Sequence, residues 1–373
     1  MRPETEAELA ETIKTAAGPL MIRGGGTRGM APVGAVLETG GLSGITLYEP
    51  GSLTLVARAG TPLAEIEAAL AAEGQRLAFE PMDHRGLLGT SGEPTIGGVV
   101  AGNISGPRRV QAGACRDFML GVRFVDGSGN VVKNGGRVMK NVTGYDLVKL
   151  MTGCWGTLGV LTEVSLKVLP KPDTAACVMI DGLTEAQAVN AMSRALTSPF
   201  EVTGAAHDPD GDSGPVTLLR LEGFAGSVAY RTGRVQALFP GHVLRVESDP
   251  DKVAALWRDV RDVAPMTGTA GDVWRFSVRP SAAPALVAEL RARHDIARVM
   301  YDWGGGLVWI EAAAGGDLRP RGLQGHATLV RAADATRRRV SVFQPEPPAV
   351  AALTKGIRDR FDPRGLLNAG IMA

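Results

Sequence analysis

The sequence predicts a two-domain protein of the α+β class, and three observations lead to this prediction. The chain has 373 residues, more than one hydrophobic core usually supports. Its N-terminal half is rich in glycine motifs and ends at Pro170-Lys171-Pro172, where two prolines interrupt any regular element. Beyond that break, strand-like and helix-like runs alternate, which is typical of a sheet covered by helices on one face. We therefore expect a domain boundary at residues 170–172.

Composition excludes several classes of protein. Hydrophobic residues make up 45% and charged residues 21% of the chain, which is ordinary usage for a folded globular protein. The 40 basic and 39 acidic residues give a net charge of +1, so no overall field would attract nucleic acid or an anionic membrane. Nucleic acid is not an expected partner.

Cysteine and histidine spacing gives no sign of a metal site. Cys115, Cys154 and Cys177 are odd in number and form no CxxC, so buried free thiols are expected instead of disulfides, zinc or an iron–sulfur cluster. The five histidines show no clustered spacing. The N-terminal residues have a helical pattern without a signal-peptide core, and no later segment approaches a membrane span, so the expected location is the cytoplasm.

In the first half, periodicity and turn residues place the elements in order. Helical spacing and alternation predict helices over 4–17, 62–73 and 144–153, strands over 19–23, 44–50, 53–59 and 156–169, and a hairpin from 117 to 132. The second half reads as strands over 176–180, 201–206, 216–222, 273–278, 297–302, 307–312 and 327–330, with helices over 185–196, 227–238, 251–263 and 282–294. A last helix over 348–361 ends at Asp362-Pro363.

Two glycine motifs suggest where a ligand binds. The run Gly24-Gly25-Gly26-Thr27 follows a strand, and its amides are free to bind an anion, although a plain tight turn is the alternative. Gly97, Gly98, Gly102 and Gly106 exclude side chains where the backbone passes something closely. An extended cofactor that carries phosphate is the natural candidate.

Four blocks in this order resemble the vanillyl-alcohol oxidase class of flavoproteins, whose FAD domain is of the PCMH type. They are RGGGT (Arg23 to Thr27), TIGGVVAGNISGP (Thr95 to Pro107), VTGYDLVKLMTGCWGTLGVLTEVSLKVLP (Val142 to Pro170) and FDPRGLLNAG (Phe361 to Gly370). Within the class, the chain most resembles the FAD-binding subunits of bacterial glycolate oxidases. The resemblance implies an FAD domain of two α+β subdomains (about 1–50 and 51–172), a cap domain (173–335) with an antiparallel sheet covered by helices, and a C-terminal segment (336–373) that returns to the FAD domain.

The same resemblance assigns the FAD contacts mainly to backbone amides. It implies a first pyrophosphate loop at the Arg23 motif, a second loop from Thr95 to Ser105, an adenine or ribose contact near Val160, and a flavin contact from Asn368. The expected cofactor-binding residues are Arg23, Gly24, Gly25, Gly26, Thr27, Pro81, Thr95, Ile96, Gly97, Gly98, Gly102, Asn103, Ser105, Gly156, Thr157, Gly159, Val160 and Asn368.

Two departures from the wider class shape the functional prediction. Members that attach FAD covalently often carry a histidine beside the first glycine loop, whereas this loop is GGGT and His84 lies far downstream, so non-covalent FAD is expected. Related D-2-hydroxyacid dehydrogenases carry GDGNLH in the cap, associated with a metal and substrate. The comparable stretch here, Tyr301 to Glu311, has no histidine, so no metal is expected.

The resemblance then implies a subunit of a glycolate oxidase or dehydrogenase complex. Such a subunit takes part in oxidation of glycolate or D-lactate to the 2-oxo acid and passes electrons to a partner. The implied partners are a sister FAD-binding catalytic subunit and an iron–sulfur subunit, with at most peripheral membrane association through the complex. Two alternatives stay open: a self-sufficient FAD-dependent 2-hydroxyacid dehydrogenase, or an assembly subunit whose FAD is structural.

Catalytic residues are not identified, and three side chains are candidates. Arg108 and Arg109 follow the flavin loop and could hold a substrate carboxylate or a cofactor phosphate through bidentate bonds, or form an ordinary surface pair. Lys140-Asn141 is a similar pair. His326, in the strand-like run HATLVRA, could act as a base or be a hydrogen-bonded structural histidine.

Overall fold

The computed structural model describes residues 1–30, 32–137 and 144–372, and the chain divides into two compact units. Unit 1 comprises Met1–Ser105, Gly113–Lys171 and Glu346–Ala373, and unit 2 comprises Gly106–Ala112 and Pro172–Pro345. The main break between the units lies between Lys171 and Pro172. The chain returns to unit 1 at Glu346, later than the expected 336, and the short piece Gly106–Ala112 belongs to unit 2. The pair Lys140-Asn141 lies outside the described residues.

Helices and strands alternate along the described chain. Its α-helices are α1 (Glu6–Thr15), α2 (Leu63–Ala72), α3 (Arg85–Leu88), α4 (Ile96–Ala101), α5 (Arg109–Ala112), α6 (Cys115–Phe118), α7 (Leu147–Met151), α8 (Glu185–Leu196), α9 (Ala225–Gln236), α10 (Pro250–Asp262), α11 (Ala283–Arg293), α12 (Asp334–Arg337) and α13 (Pro348–Phe361). Its strands are β1 (Leu20–Arg23), β2 (Ala35–Glu38), β3 (Ile45–Glu49), β4 (Thr54–Arg58), β5 (Gln75–Arg76), β6 (Met119–Val125), β7 (Val131–Gly135), β8 (Val160–Lys167), β9 (Leu169–Pro170), β10 (Thr174–Asp181), β11 (Gly204–Asp208), β12 (Val216–Gly223), β13 (Leu244–Glu247), β14 (Asp272–Val278), β15 (Ile296–Asp302), β16 (Leu307–Ala312) and β17 (Gly325–Arg331).

Unit 1 is built on a five-stranded sheet and a small parallel pair. The sheet has the order β3-β4-β8-β6-β7 and is antiparallel throughout, while β1 and β2 pair in parallel. Leu9 and Ile13 of α1 pack with Leu20 of β1 and Leu367 of the C-terminal segment in one buried cluster. The tail therefore belongs to the core of unit 1. Strand β3 joins the five-stranded sheet, so the expected subdomain split at about residue 50 falls after the first strand of that sheet.

Two elements of unit 1 are shorter than the sequence predicts, and each has a local cause. Helix α7 begins only at Leu147 because Asp146 caps it, with Oδ1 accepting from the amide of Lys149 at 3.0 Å. Strand β8 begins at Val160 because Trp155 and Gly156 take positive φ values of 53° and 73°. The hairpin β6–β7 is confirmed.

Unit 2 is an eight-stranded sheet in the order β13-β10-β12-β11-β15-β16-β14-β17, in which every pairing is antiparallel. On one face, Val178 and Ile180 of β10 join the core formed with α8, α9 and α11. On the other face, Cys177 and Met179 pack with Trp257 of α10. The expectation of helices on one face is therefore wrong for α10, because β10 is apolar on both faces.

The remaining sequence predictions concern cysteines and membrane spans. Cys115, Cys154 and Cys177 are free and buried, which confirms the prediction, and burial raises the pKa of each thiol. In the described ranges, no helix combines the length and the apolar character needed to cross a membrane.

Candidate functional site

A pocket lies in unit 1 beside the first glycine loop. It encloses about 830 Å³ of space, part of it open to solvent. Strand β1, the loop after it, helix α4, the turn at Trp155-Gly156 and the C-terminal Asn368 supply its walls. Segments from both ends of the sequence therefore meet at one site.

The pocket brings together ten of the eighteen residues expected to bind the cofactor. They are Arg23, Gly24, Gly25, Gly26, Thr27, Gly97, Gly98, Gly156, Gly159 and Asn368. The other eight do not line it, namely Pro81, Thr95, Ile96, Gly102, Asn103, Ser105, Thr157 and Val160. The wall also includes residues that the sequence did not single out, among them Met21, Ile22, Arg28, Thr39, Ala59 and Trp155.

The first glycine loop offers unpaired donors to the pocket. The backbone amides of Gly25, Gly26, Thr27 and Arg28 donate to no acceptor in the part of the chain that the structure describes. Consecutive amides of this kind form a concavity that suits an anion such as pyrophosphate. A plain tight turn would use some of these donors internally, so the geometry favours the anion-binding interpretation.

The glycines near the pocket allow backbone segments of the protein to pack closely against each other, in addition to leaving room for a ligand. A Cβ on Gly25 would overlap the carbonyl oxygen of Glu93, and one on Gly92 would overlap the carbonyl oxygen of Gly25. A Cβ on Gly97 would lie 2.7 Å from the Cβ of Ala59. At each of these positions, two backbone segments approach each other more closely than a residue with a Cβ atom permits.

The second loop contributes fewer free donors than the resemblance implies. The amide of Ile96 donates to the carbonyl of Thr61, that of Gly97 to Ala59, and that of Gly98 to Oγ1 of Thr95 at 3.3 Å. Further on, Asn103 and Ser105 accept from the amides of Arg116 and Cys115, which fixes the start of α6. Amides that are free to bind an anion are therefore concentrated in the first loop.

Among the pocket residues that the sequence did not single out, Arg28 carries a positive charge. Its Nε atom is buried without a hydrogen-bond partner, and its guanidinium makes no ion pair with the described residues. Burial lowers the pKa of Arg28 to about 10, and the nearby Cys115 and Asp83 oppose this shift only weakly. A bound anion would offset the cost of burying this charge. The signal was the arginine directly after GGGT.

Gly98 and Arg28 fit together. A Cβ on Gly98 would lie 2.6 Å from Nη1 of Arg28, so the glycine leaves room for the guanidinium to reach the pocket. A side chain at position 98 would therefore displace the guanidinium of Arg28.

Asn368, in the C-terminal segment, also lines the pocket. Its Oδ1 accepts from the amide of Ile22 at 2.7 Å, and its Nδ2 donates to the carbonyl of Trp155 at 2.7 Å. Its backbone has a φ of 46°, a conformation that asparagine tolerates better than most residues. Both polar ends of the side chain are engaged, so Asn368 shapes the wall of the pocket.

These features fit the predicted FAD. Four unpaired amides and the buried cation of Arg28 suit the pyrophosphate, and Met21, Ile22 and Trp155 supply apolar surface for aromatic rings. Thr157 and Val160 serve the fold, because Thr157 Oγ1 donates to Cys154 and Val160 pairs with Val125. In the ranges described, no group of three or more His, Cys, Asp or Glu side chains is arranged to hold a metal ion.

The catalytic candidates lie in unit 2 and have different surroundings. Arg108 forms a buried ion pair with Glu222, which is also held by Thr203 Oγ1 at 2.6 Å. Arg109 lies over the indole of Trp303, with Cζ 4.5 Å from the ring centroid. His326 is exposed on β17 opposite Ser277 and makes no hydrogen bond with the described residues. Arg108 is therefore committed to Glu222, whereas Arg109 packs over an aromatic ring and His326 is exposed.

Comparison with known proteins identifies the family. A sequence model described as an FAD binding domain matches residues 1–135. The chain is 34% identical over 361 residues to glycolate oxidase subunit GlcE of Escherichia coli strain K12, covering 95% of this chain and 92% of that protein. The chain belongs to the GlcE family of glycolate oxidase subunits. This confirms the resemblance, and with it the prediction of an FAD-binding flavoprotein.

A second relative matches part of the chain, and a solved structure matches nearly all of it. Glycolate oxidase subunit GlcD of Bacillus subtilis strain 168 is 33% identical over 161 residues, which cover 42% of this chain and 33% of that protein. Among solved structures, an alkyldihydroxyacetonephosphate synthase aligns with a TM-score of 0.69 at 16% identity, covering 99% of this chain and 76% of the other. That likeness concerns the fold, and the predicted fold class is confirmed.

Proposed function

We propose that this chain is the FAD-binding subunit of a glycolate oxidase complex and takes part in oxidising glycolate, or D-lactate, to the 2-oxo acid. The membership of the GlcE family is the observation that carries the proposal. In the reaction, the hydroxy acid loses two electrons and two protons, and the electrons pass to a partner subunit. The partners are a sister FAD-binding catalytic subunit and an iron–sulfur subunit, and any membrane association arises through them.

The unit 1 pocket supports non-covalent binding of FAD. The amides of Gly25 to Arg28 and the guanidinium of Arg28 would hold the pyrophosphate, and Asn368 would shape the wall. The loop carries no histidine to which a flavin could be attached. When bound, FAD supplies an acceptor for the two electrons of the hydroxy acid.

A self-sufficient 2-hydroxyacid dehydrogenase is the second candidate. The arginines of unit 2 favour it, because Arg109 and Arg275 both lie over Trp303 and could hold a carboxylate. A structural FAD is the third, since a bound cofactor stabilises a fold by about 2.7 kcal/mol at a hundredfold excess over its dissociation constant.

The test replaces the FAD of this subunit with 5-deaza-FAD, which accepts a hydride and does not relay single electrons. The chain is reloaded with either cofactor, assembled with its partners and assayed for glycolate oxidation. Electron relay predicts loss of turnover with the analogue and full turnover with FAD. Unchanged turnover with the analogue would contradict the relay and favour a structural cofactor. Full-rate bleaching of the isolated chain by anaerobic glycolate would favour the self-sufficient dehydrogenase.

A further inference from the structure

The sheet of unit 2 presents an arginine on the face opposite its main core. Along β14, Trp274 and Phe276 are buried in the cluster formed with α8, α9 and α11. Because side chains alternate along a strand, Arg275 points to the other face. Because its two neighbours in the strand are fully buried aromatic residues, the backbone of Arg275 is held in a fixed position.

Trp303 lies between two guanidinium groups. The Cζ atoms of Arg109 and Arg275 are 4.5 Å and 5.1 Å from its ring centroid. The indole is itself fixed, because Nε1 donates to the carbonyl of Gly106 at 3.0 Å. Each cation–π contact is favourable, whereas the two like charges repel each other. The arrangement concentrates positive charge beside one aromatic ring.

Arg275 lacks the carboxylate partner that other arginines of unit 2 have. Arg108 pairs with Glu222, and Arg331 pairs with Glu311 at 3.3 Å. Arg275 makes no hydrogen bond or ion pair with the described residues. Burial and, secondarily, the charge of Arg109 lower the pKa of Arg275 to about 10, while Asp302 opposes both effects. A partly buried cation that makes no ion pair with the described residues favours binding of an anion.

The residues beside Arg275 define the size and character of the ligand. In the sheet register, Trp309 of β16 and Thr328 of β17 stand directly opposite Arg275, so both lie on its face. Ser277 and His326 form the next pair on this face. The indole of Trp303 lies against the cation, Trp309 stands opposite Arg275 in the register, and hydroxyl and imidazole groups lie along the strands. The surroundings suit a small carboxylate that carries a second polar group.

We propose that Arg275, with Arg109 and Trp303, binds the carboxylate of a short 2-hydroxy or 2-oxo acid in unit 2. The planar guanidinium of Arg275 would take both carboxylate oxygens, which a lysine cannot do. The identity of the acid rests on the proposed function, whereas the anion site rests on the geometry alone. Thr328 and His326 are placed to contact the second polar group.

The test uses oxalate, a two-carbon carboxylate without an oxidisable hydrogen, titrated into the full chain and followed by calorimetry and tryptophan fluorescence. Arg275→Gln is expected to weaken oxalate binding at least tenfold and Arg275→Lys to retain part of it. The matched control is Arg293→Gln, which removes the same charge from an exposed helix position paired with Glu289. If Arg275→Gln does not fold, Trp303→Phe serves instead and should abolish most of the fluorescence response to oxalate.

Several outcomes would overturn this inference. They are no oxalate binding by the wild-type chain, equal binding in Arg275→Gln, or tighter binding of inorganic phosphate than of oxalate. The titration is repeated on flavin-free chain so that the two proposals can fail separately. Arg275-dependent oxalate binding with no role for FAD in turnover would contradict only the proposed function. FAD-dependent turnover with oxalate binding indifferent to Arg275 would contradict only the carboxylate site.

Discussion

The amide of Ile22 donates a hydrogen bond to Oδ1 of Asn368 at 2.7 Å, although the two residues are 346 positions apart. Nδ2 of the same side chain donates to the carbonyl of Trp155 at 2.7 Å. Asn368 thus joins strand β1, the turn before β8 and the C-terminal segment at the wall of one pocket. The wall of the pocket and the position of the tail are coupled through this one side chain.

Replacing Asn368 with alanine is expected to weaken both folding and FAD binding. The change leaves the amide of Ile22 and the carbonyl of Trp155 unsatisfied, at about 1–3 kcal/mol for each buried group. Urea unfolding and the quenching of FAD fluorescence measure the two effects. Asn190→Ala, at an exposed position of α8, is the control and should change neither. Full retention of FAD affinity in Asn368→Ala would show that the clamp does not shape the pocket.

Arg28 is expected to contribute more to FAD affinity than Arg23, although both line the pocket. Arg23 already pairs with Glu38 at the surface, whereas Arg28 is unpaired among the described residues. Arg28→Gln should therefore raise the dissociation constant of FAD at least tenfold, which corresponds to about 1.4 kcal/mol. Arg23→Gln should change it by less than threefold. Equal effects of the two substitutions would contradict a specific role for Arg28.

The two glycine loops should respond differently to a single methyl group. Gly25→Ala places Cβ against the carbonyl oxygen of Glu93, so the backbone must move and the free energy of unfolding should fall. Gly98→Ala meets the flexible end of Arg28, so the chain should stay folded and lose FAD affinity. Gly18→Ala, where the methyl group meets open space, is the control. Thermal unfolding and bound flavin per chain separate the three variants.

The sequence predicts much of the pocket because its signals are local. A strand followed by GGGT predicts a turn whose amides are free, and the amides of Gly25 to Arg28 make no hydrogen bond with the described residues. Helix and strand periods likewise identify most elements of both units. These inferences need only residues that are close in the chain.

The features of the structure that the sequence does not predict depend on contacts between segments that are distant in the chain. No local pattern shows that Gly25 packs on Glu93, or that Gly106–Ala112 joins unit 2. The position of α10 was also missed, because an amphipathic helix carries no sign of which sheet face it covers. Asn103 and Ser105 were assigned to the cofactor by position in a motif, yet their side chains accept hydrogen bonds that fix α6.

Arg108 and Glu222 form a pair that should stabilise unit 2 without holding substrate. Both side chains are buried, with 4% and 7% of their surface exposed. Arg108→Gln removes a charge-assisted hydrogen bond to Glu222, which keeps Arg220 at 3.5 Å and Thr203, and should cost about 1.5–3 kcal/mol of unfolding free energy. Arg245→Gln, which breaks an exposed pair with Asp181, should cost less than about 1 kcal/mol.

Oxalate titration of the folded fraction of Arg108→Gln is expected to match that of the wild type, unlike Arg275→Gln. A large loss of oxalate binding with unchanged stability would instead assign Arg108 to the substrate.

His207 should make the stability of unit 2 depend on pH. The ring is fully buried, its Nδ1 contacts the carbonyl of Val216 at 3.1 Å, and its Nε2 has no partner. Burial lowers the pKa of His207 to about 4, while the Val216 carbonyl and Asp210 oppose the shift. Between about pH 6.5 and pH 4 the unfolded chain binds a proton that the folded chain does not, so stability falls as the pH falls.

The total change from this one group is about 3 kcal/mol, and it is complete below pH 4. His207→Asn removes the titration, so its unfolding free energy should fall less than that of the wild type between pH 6.5 and pH 4. His242→Asn, at an exposed position, should follow the wild-type curve. Urea unfolding at a series of pH values measures all three chains. Parallel curves for His207→Asn and the wild type would mean that His207 is protonated in the folded protein.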